Sequence, residues 1–191
     1  ILSAIGEGPP WRHAAASVFG GSGSLGNGAA MRVAPLGAFF ADDLERCVAE
    51  ARASAEVTHA HEEGIAGAIA VAVASALTWP RRGAELPNGR DWLARILEHV
   101  PAGRVRDGIE VALALPASAT TEHAANLLGN GGAVTAADTV PFCLWMAAWR
   151  SHDYGEALWQ TVSALGDRDT TCAIVGGIVA LQVGYYGIPA D

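Results

Sequence analysis

Between Leu165 and Gly177 the chain reads Leu-Gly-Asp-Arg-Asp-Thr-Thr-Cys-Ala-Ile-Val-Gly-Gly, which sets two carboxylates and a hydroxyl at the threshold of an apolar run. Asp167, Asp169 and Thr170 are hard oxygen donors, suited to magnesium, manganese or calcium rather than zinc. The same residue types suit a helix N-terminus, where their oxygens accept the unpaired N–H groups, and spacing alone leaves both readings open. A second stretch, Gly20 to Gly28, reads Gly-Gly-Ser-Gly-Ser-Leu-Gly-Asn-Gly. Glycine tolerates the φ values that turn successive amides inward, so such a loop can cradle a phosphate. The following Ala29 to Ala34 is helix-compatible, so the loop is expected to deliver its amides to a helix N-terminus; a plain linker is the alternative. No Gly-Lys-Ser or Gly-Lys-Thr follows, which excludes a Walker loop. In Thr58-His59-Ala60-His61 the two histidines lack a third soft ligand nearby, so a helix-entry histidine donating to an anion is favoured over a metal pair.

The elements that must position these groups follow from periodicity. Leu44, Val48, Ala51 and Ala55 recur at helical spacing and predict a helix ending near Thr58-His59. Glu62 to Ala76 is a run of small apolar residues that predicts a central helix, ended by Trp79-Pro80 and a polar turn over Arg81 to Gly89. Asp91 is the expected cap of a helix carrying Trp92, Leu93, Ile96 and Leu97, stopped by Pro101. Arg104 to Leu115 suits a helix, although its β-branched residues leave a strand open. A short helix around His123 and Asn126 sits between loops at Pro116 to Ala119 and Leu128 to Ala136. Asp138 to Arg150 is apolar nearly all round and predicts a core helix, and Asp153 to Leu165 is amphipathic. Pro35 is expected to break the helix after the glycine loop. The N-terminal residues, Ile1 to Phe19, hold a Gly-Pro-Pro turn and then a short helix from Arg12.

Composition narrows the class. The 191 residues are 51% hydrophobic but only 7% aromatic, with alanine and glycine abundant, which suits closely packed helices and an all-α fold. The balance of 12 Lys and Arg against 20 Asp and Glu argues against nonspecific nucleic-acid binding. Cys47, Cys143 and Cys172 are widely spaced in apolar surroundings, as buried thiols of a reducing cytoplasm would be. The apolar runs are shorter than the roughly 20 residues a membrane span needs. The chain opens on Ile1 rather than Met, and the expectation is one all-α domain over 1–191 belonging to a longer protein.

Two motifs can be taken together. Gly26-Asn27-Gly28-Ala29-Ala30-Met31-Arg32-Val33-Ala34-Pro35-Leu36-Gly37 resembles the glycine-rich signature of the ADP-ribosylglycohydrolase family, which includes the dinitrogenase reductase-activating glycohydrolases. In order, Thr58-His59, then Gly166-Asp167-Arg168-Asp169-Thr170, then Gly187-Ile188-Pro189 resemble its further markers. The resemblance implies an all-α, compact orthogonal multi-helix bundle with a binuclear magnesium centre, manganese being the alternative, at the base of a cleft for ADP-ribose. It implies Asp167, Asp169 and Thr170 as metal ligands, and Gly23, Ser24, Gly26, Asn27, Gly28 and His59 against ADP-ribose. The implied activity is hydrolysis of the glycosidic bond between ADP-ribose and a protein side chain or small-molecule conjugate. A non-catalytic ADP-ribose-binding or structural relative, like those recruited to the eye lens, is the second reading.

Two departures from the pattern stand out. Family members carry an N-terminal Asp-Asp-Thr metal motif and an acidic catalytic residue, and nothing before Ser17 resembles them. The chain is therefore expected to be the C-terminal two-thirds of such a domain, with the catalytic residue outside it and self-association through apolar surface such as Val140 to Trp149 left partly uncovered. Leu165 and Arg168 stand where the family usually has Gly and Thr, and Arg168 could repel a metal, hold a phosphate or pair with an acid such as Asp107.

Overall fold

The computed structural model of the chain describes Gly6, Gly8 and residues 10–81 and 88–190. The α-helices there are α1 (Trp11–Gly21), α2 (Ala34–Phe39), α3 (Leu44–Glu56), α4 (Glu62–Thr78), α5 (Gly89–Leu97), α6 (Arg104–Ala114), α7 (Thr121–Leu128), α8 (Ala136–Arg150), α9 (Tyr154–Ser163) and α10 (Arg168–Val183). Short 3-10 turns occupy Ala30–Arg32, Trp79–Arg81 and Tyr185–Gly187. Among the described residues the β contact is a lone antiparallel bridge between Gly26 and Thr135, so the fold is all-α as the composition predicts.

Helix α4 is the axle of the fold. Its sequence of Ala, Gly, Val and Ile has no polar face, and every residue from Gly64 to Thr78 is buried. Small residues let neighbours close in. A Cβ on Gly67 would lie 2.7 Å from the Ala136 Cβ of α8, and one on Gly37 of α2 would overlap the Ala72 carbonyl. Helices α2, α3, α5, α8 and α10 all pack on α4, and α6 lies along α8, where Gly108 faces Pro141. The buried hydroxyls of Ser75 and Thr78 donate back to the Val71 and Ala74 carbonyls at 2.8 Å, so the polar groups inside α4 are satisfied.

Several starts are set by local side chains. Asp43 caps α3, Thr120 caps α7, Thr135 caps α8 and Asp153 caps α9. Asn88, not Asp91, caps α5: its side-chain Oδ1 accepts from Arg90 N, and Asp91 lies in the first turn, where its charge complements the dipole. Residues 104–114 are helical despite Val105, Ile109 and Val111, because Val105 and Ile109 bury on one face at i, i+4. After the glycine loop only the 3-10 turn Ala30–Arg32 forms, and Pro35 sits inside the first turn of α2 instead of breaking a helix, a position where its missing N–H costs nothing. The polar turn over Arg81 to Gly89 falls largely outside the described residues, as does Pro9 of the Gly-Pro-Pro turn.

The expectation that Val140 to Trp149 would be partly uncovered is corrected. Val140 through Ala148 is buried, because α4, α6 and α10 close over α8. Large apolar side chains are exposed elsewhere, at Phe39, Trp159, Tyr185 and Tyr186. Among the described residues no helix is long and apolar enough to cross a membrane.

Candidate functional site

The glycine loop leaves α1 through a kink at Val18 to Gly20, and Gly20, Gly21 and Gly23 all take positive φ. At Gly23 the requirement is also steric, since a Cβ would come within 2.7 Å of the His61 backbone nitrogen. The loop is stitched to two helix N-termini. The Ser24 carbonyl accepts from His61 N at 3.4 Å beside α4, and the Leu25 carbonyl accepts from Ala136 N at 3.0 Å in α8. The Ser24 hydroxyl accepts from Gly26 N at 3.2 Å and holds the turn.

Asn27 ties the loop to a third helix start. It is 4% exposed, and its side-chain nitrogen donates to Asp167 Oδ2 at 2.8 Å and to Thr139 Oγ1 at 3.0 Å. Both amide hydrogens are thereby committed inward, across 140 and 112 positions of sequence. Asp167 is also the cap of α10, where Oδ1 accepts from Thr170 N at 3.4 Å. Burial acts to raise its pKa, but hydrogen bonds donated by Asn27 and Thr170 outweigh this and hold the carboxyl below its ordinary range. The capping reading therefore holds for Asp167.

The approach to Asp167 is shaped by a segment that sequence reasoning missed. Asn130 accepts Asp167 N on its carbonyl at 3.1 Å, donates from its amide to the Ala164 carbonyl at 3.0 Å, and accepts Gly132 N on Oδ1 at 3.1 Å. Gly166 has φ 65°, and a Cβ there would overlap the Asn130 carbonyl. Leu165 takes the same left-handed region at φ 61°, which accounts for a glycine being suited to its position. The Gly129-Asn130-Gly131-Gly132 run was a visible turn signal, but nothing local connects it to a carboxylate 37 positions on.

Asp169 is exposed, and Thr170 is buried with its hydroxyl 3.9 Å from Met31 Sδ, so the Ala-Ala-Met-Arg stretch also reaches α10. Asp167, Asp169 and Thr170 place hard oxygen donors, the type that suits magnesium or manganese, at one helix start. Among the described residues no group of three or more His, Cys, Asp or Glu side chains is placed to hold a metal ion. Arg168 makes no ion pair with an acid among the described residues, so the considered pairing with Asp107 is not formed.

His61 is the cap of α4: its Nδ1 accepts from Glu63 N at 3.0 Å. Its Nδ1 is therefore the accepting nitrogen of the ring, committed to the cap. His59 instead lies against the glycine loop, where a Cβ on Gly28 would be 3.0 Å from its Cε1 and Nε2. Its Nδ1 is 2.7 Å from Thr58 Oγ1, and Arg32 reaches that same oxygen from both terminal nitrogens at 3.1 Å. Burial, and then the Arg32 charge, lower the His59 pKa. The thiols are not nucleophile candidates: burial, then Asp43, push Cys47 up to about 11, and burial also raises Cys143 and Cys172.

Gly23, Ser24, Gly26, Gly28 and His59 therefore form one patch, and Asn27 and Met31 join it to Asp167 and Thr170. The profile described as ADP-ribosylglycohydrolase matches residues 1–191. An uncharacterized protein of Archaeoglobus fulgidus is 34% identical over 157 residues, covering 79% of this chain and 47% of its own length. ADP-ribosylhydrolase ARH3 of Homo sapiens is 29% identical over 203 aligned positions, covering 90% of this chain and 53% of its own. The chain thus spans about half the length of these curated relatives.

Proposed function

The chain belongs to the ADP-ribosylglycohydrolase family, and from that premise we propose that its site binds ADP-ribose and serves the hydrolysis of the glycosidic bond joining ADP-ribose to a protein side chain or small-molecule conjugate. The observation that carries the reading is the Asn27 to Asp167 hydrogen bond at 2.8 Å, which joins the anion-suited loop to the carboxylate pair. In this reading a diphosphate lies against the glycine loop, whose Ser24 and Leu25 carbonyls hold it beside the N-termini of α4 and α8, where the helix dipoles favour an anion. His59 contributes a ring nitrogen beside Gly26 and Gly28.

Breaking a bond to the ribose anomeric carbon passes through an oxocarbenium-like state, which negative oxygens nearby stabilise. In this reading Asp167 and Asp169 orient ribose hydroxyls and water, and Asn130 and Asn27 hold Asp167 in position. Magnesium, with manganese as the alternative, would be held by Asp167, Asp169 and Thr170 and would supply charge neutralisation and water orientation. Accurate placement is the larger part of the task for such a site. Shared packing of α8 and α10 on α4 supports treating 1–191 as one domain.

The test is release of ADP-ribose from an ADP-ribosylated peptide by the whole protein of which this chain is expected to be part, followed chromatographically in magnesium. Asp167→Ala and Asp169→Ala should each reduce release by at least a hundredfold; full turnover in both would sink the assignment. Tight ADP-ribose binding with no turnover in the wild type would favour the non-catalytic reading.

A further inference from the structure

The contacts of Arg32, Thr58 and His59 determine more than the position of a histidine. A threonine hydroxyl has two lone pairs and one proton, while a guanidinium only donates. Arg32 Nη1 and Nη2 both lie 3.1 Å from Thr58 Oγ1, and Arg32 is itself tethered by donation to the Ser54 carbonyl at 2.8 Å. Two N–H groups fill both lone pairs of the hydroxyl. Its proton is then directed at the remaining neighbour, His59 Nδ1 at 2.7 Å. A nitrogen that accepts a proton in this way cannot carry one of its own, so the ring hydrogen of neutral His59 is placed on Nε2.

That nitrogen faces the loop. A Cβ built on Gly26 would lie 3.3 Å from Nε2 and one on Gly28 3.0 Å, and among the described residues Nε2 has no hydrogen-bond partner. We propose that Arg32 and Thr58 are positioning residues that hold His59 as its Nε2–H tautomer, giving the glycine loop a neutral ring donor aimed at a ligand oxygen. That the oxygen belongs to ADP-ribose rests on the function proposed above; the tautomer does not. Burial and the Arg32 charge both lower the ring's pKa, which favours the neutral form in which the tautomer matters. The division of labour is that Arg32 lends its charge to set a proton without itself having to reach the loop.

The experiment is long-range proton–nitrogen correlation on 15N-histidine-labelled full chain at pH 8, with ADP-ribose binding measured separately by calorimetry. Wild type should show His59 Nδ1 unprotonated and Nε2 protonated. Thr58→Ser, which keeps the hydroxyl, should preserve both the tautomer and the affinity. Thr58→Val and Arg32→Leu should mix the tautomers and weaken ADP-ribose about tenfold, with the melting temperature of Thr58→Ser as the folding reference. Protonated Nδ1 in the wild type, or a tautomer unchanged in Thr58→Val, would overturn the proposal. If the tautomer is as stated but ADP-ribose does not bind, the substrate reading fails and the positioning role stands.

Discussion

Replacing Asn27 with alanine probes the join between the loop and the carboxylates. Asn27 is 4% exposed, and its amide makes one hydrogen bond to a carboxylate at 2.8 Å and one to a hydroxyl at 3.0 Å. A bond to a charged partner contributes about 1.5–3 kcal/mol and a neutral one about 1 kcal/mol, so the loss should be about 2.5–4 kcal/mol. For a chain of this length that corresponds to roughly 5–15 °C in melting temperature. A double-mutant cycle with Asp167→Asn isolates the pair, and we expect non-additivity of about 1–3 kcal/mol. Acid adds an independent signature. The folded pKa of Asp167 is lowered from 3.8, so its contribution is complete above that value and is lost as pH falls through the folded pKa. The advantage of wild type over Asn27→Ala should therefore be full at neutral pH and shrink below about pH 4. Additive single effects, or a melting temperature within a degree of wild type, would refute the reasoning.

Other perturbations follow from the same geometry. Gly166→Ala would hold a Cβ at φ 65° against the Asn130 carbonyl; a loss of at least about 1–2 kcal/mol from the left-handed conformation alone is expected in urea unfolding, and an unchanged midpoint would contradict it. For His59 the folded pKa lies below the ordinary 6.5, so the unfolded chain binds the proton more readily. Stability should fall as pH drops below about 6.5, more steeply in wild type than in His59→Gln, and parallel curves from pH 7.5 to 5.5 would exclude that cause.

Most of the architecture was legible because local signals agreed. Leu44 to Glu56 combines an Asp43 cap with an apolar stripe, and Glu62 to Thr78 announces a central helix by having no polar face. The acidic threshold of α10 was visible for the same reason, since Asp167 serves both local and distant demands. What stayed hidden was set by contacts far apart in sequence or by near-equivalent local choices. Asn130 and Thr139 gain their roles only when the loop after α7 and the start of α8 fold beside Asp167 and Asn27. Asn88 and Asp91 are both good caps, and the position of the first buried residues decided between them. His61 caps its own helix through Nδ1, a role set by the Glu63 amide two positions on.

The central claim is that the glycine loop and the Asp167 pair form one ADP-ribose site, and thermal melting tests it most directly. The chain would be melted with and without ADP-ribose, first in magnesium and then in chelator. Ligand at about a hundred times its dissociation constant adds about 2.7 kcal/mol, which predicts a rise of roughly 5–10 °C in magnesium and a smaller one in chelator. A cooperative transition that ADP-ribose leaves unmoved in both solutions would contradict the account.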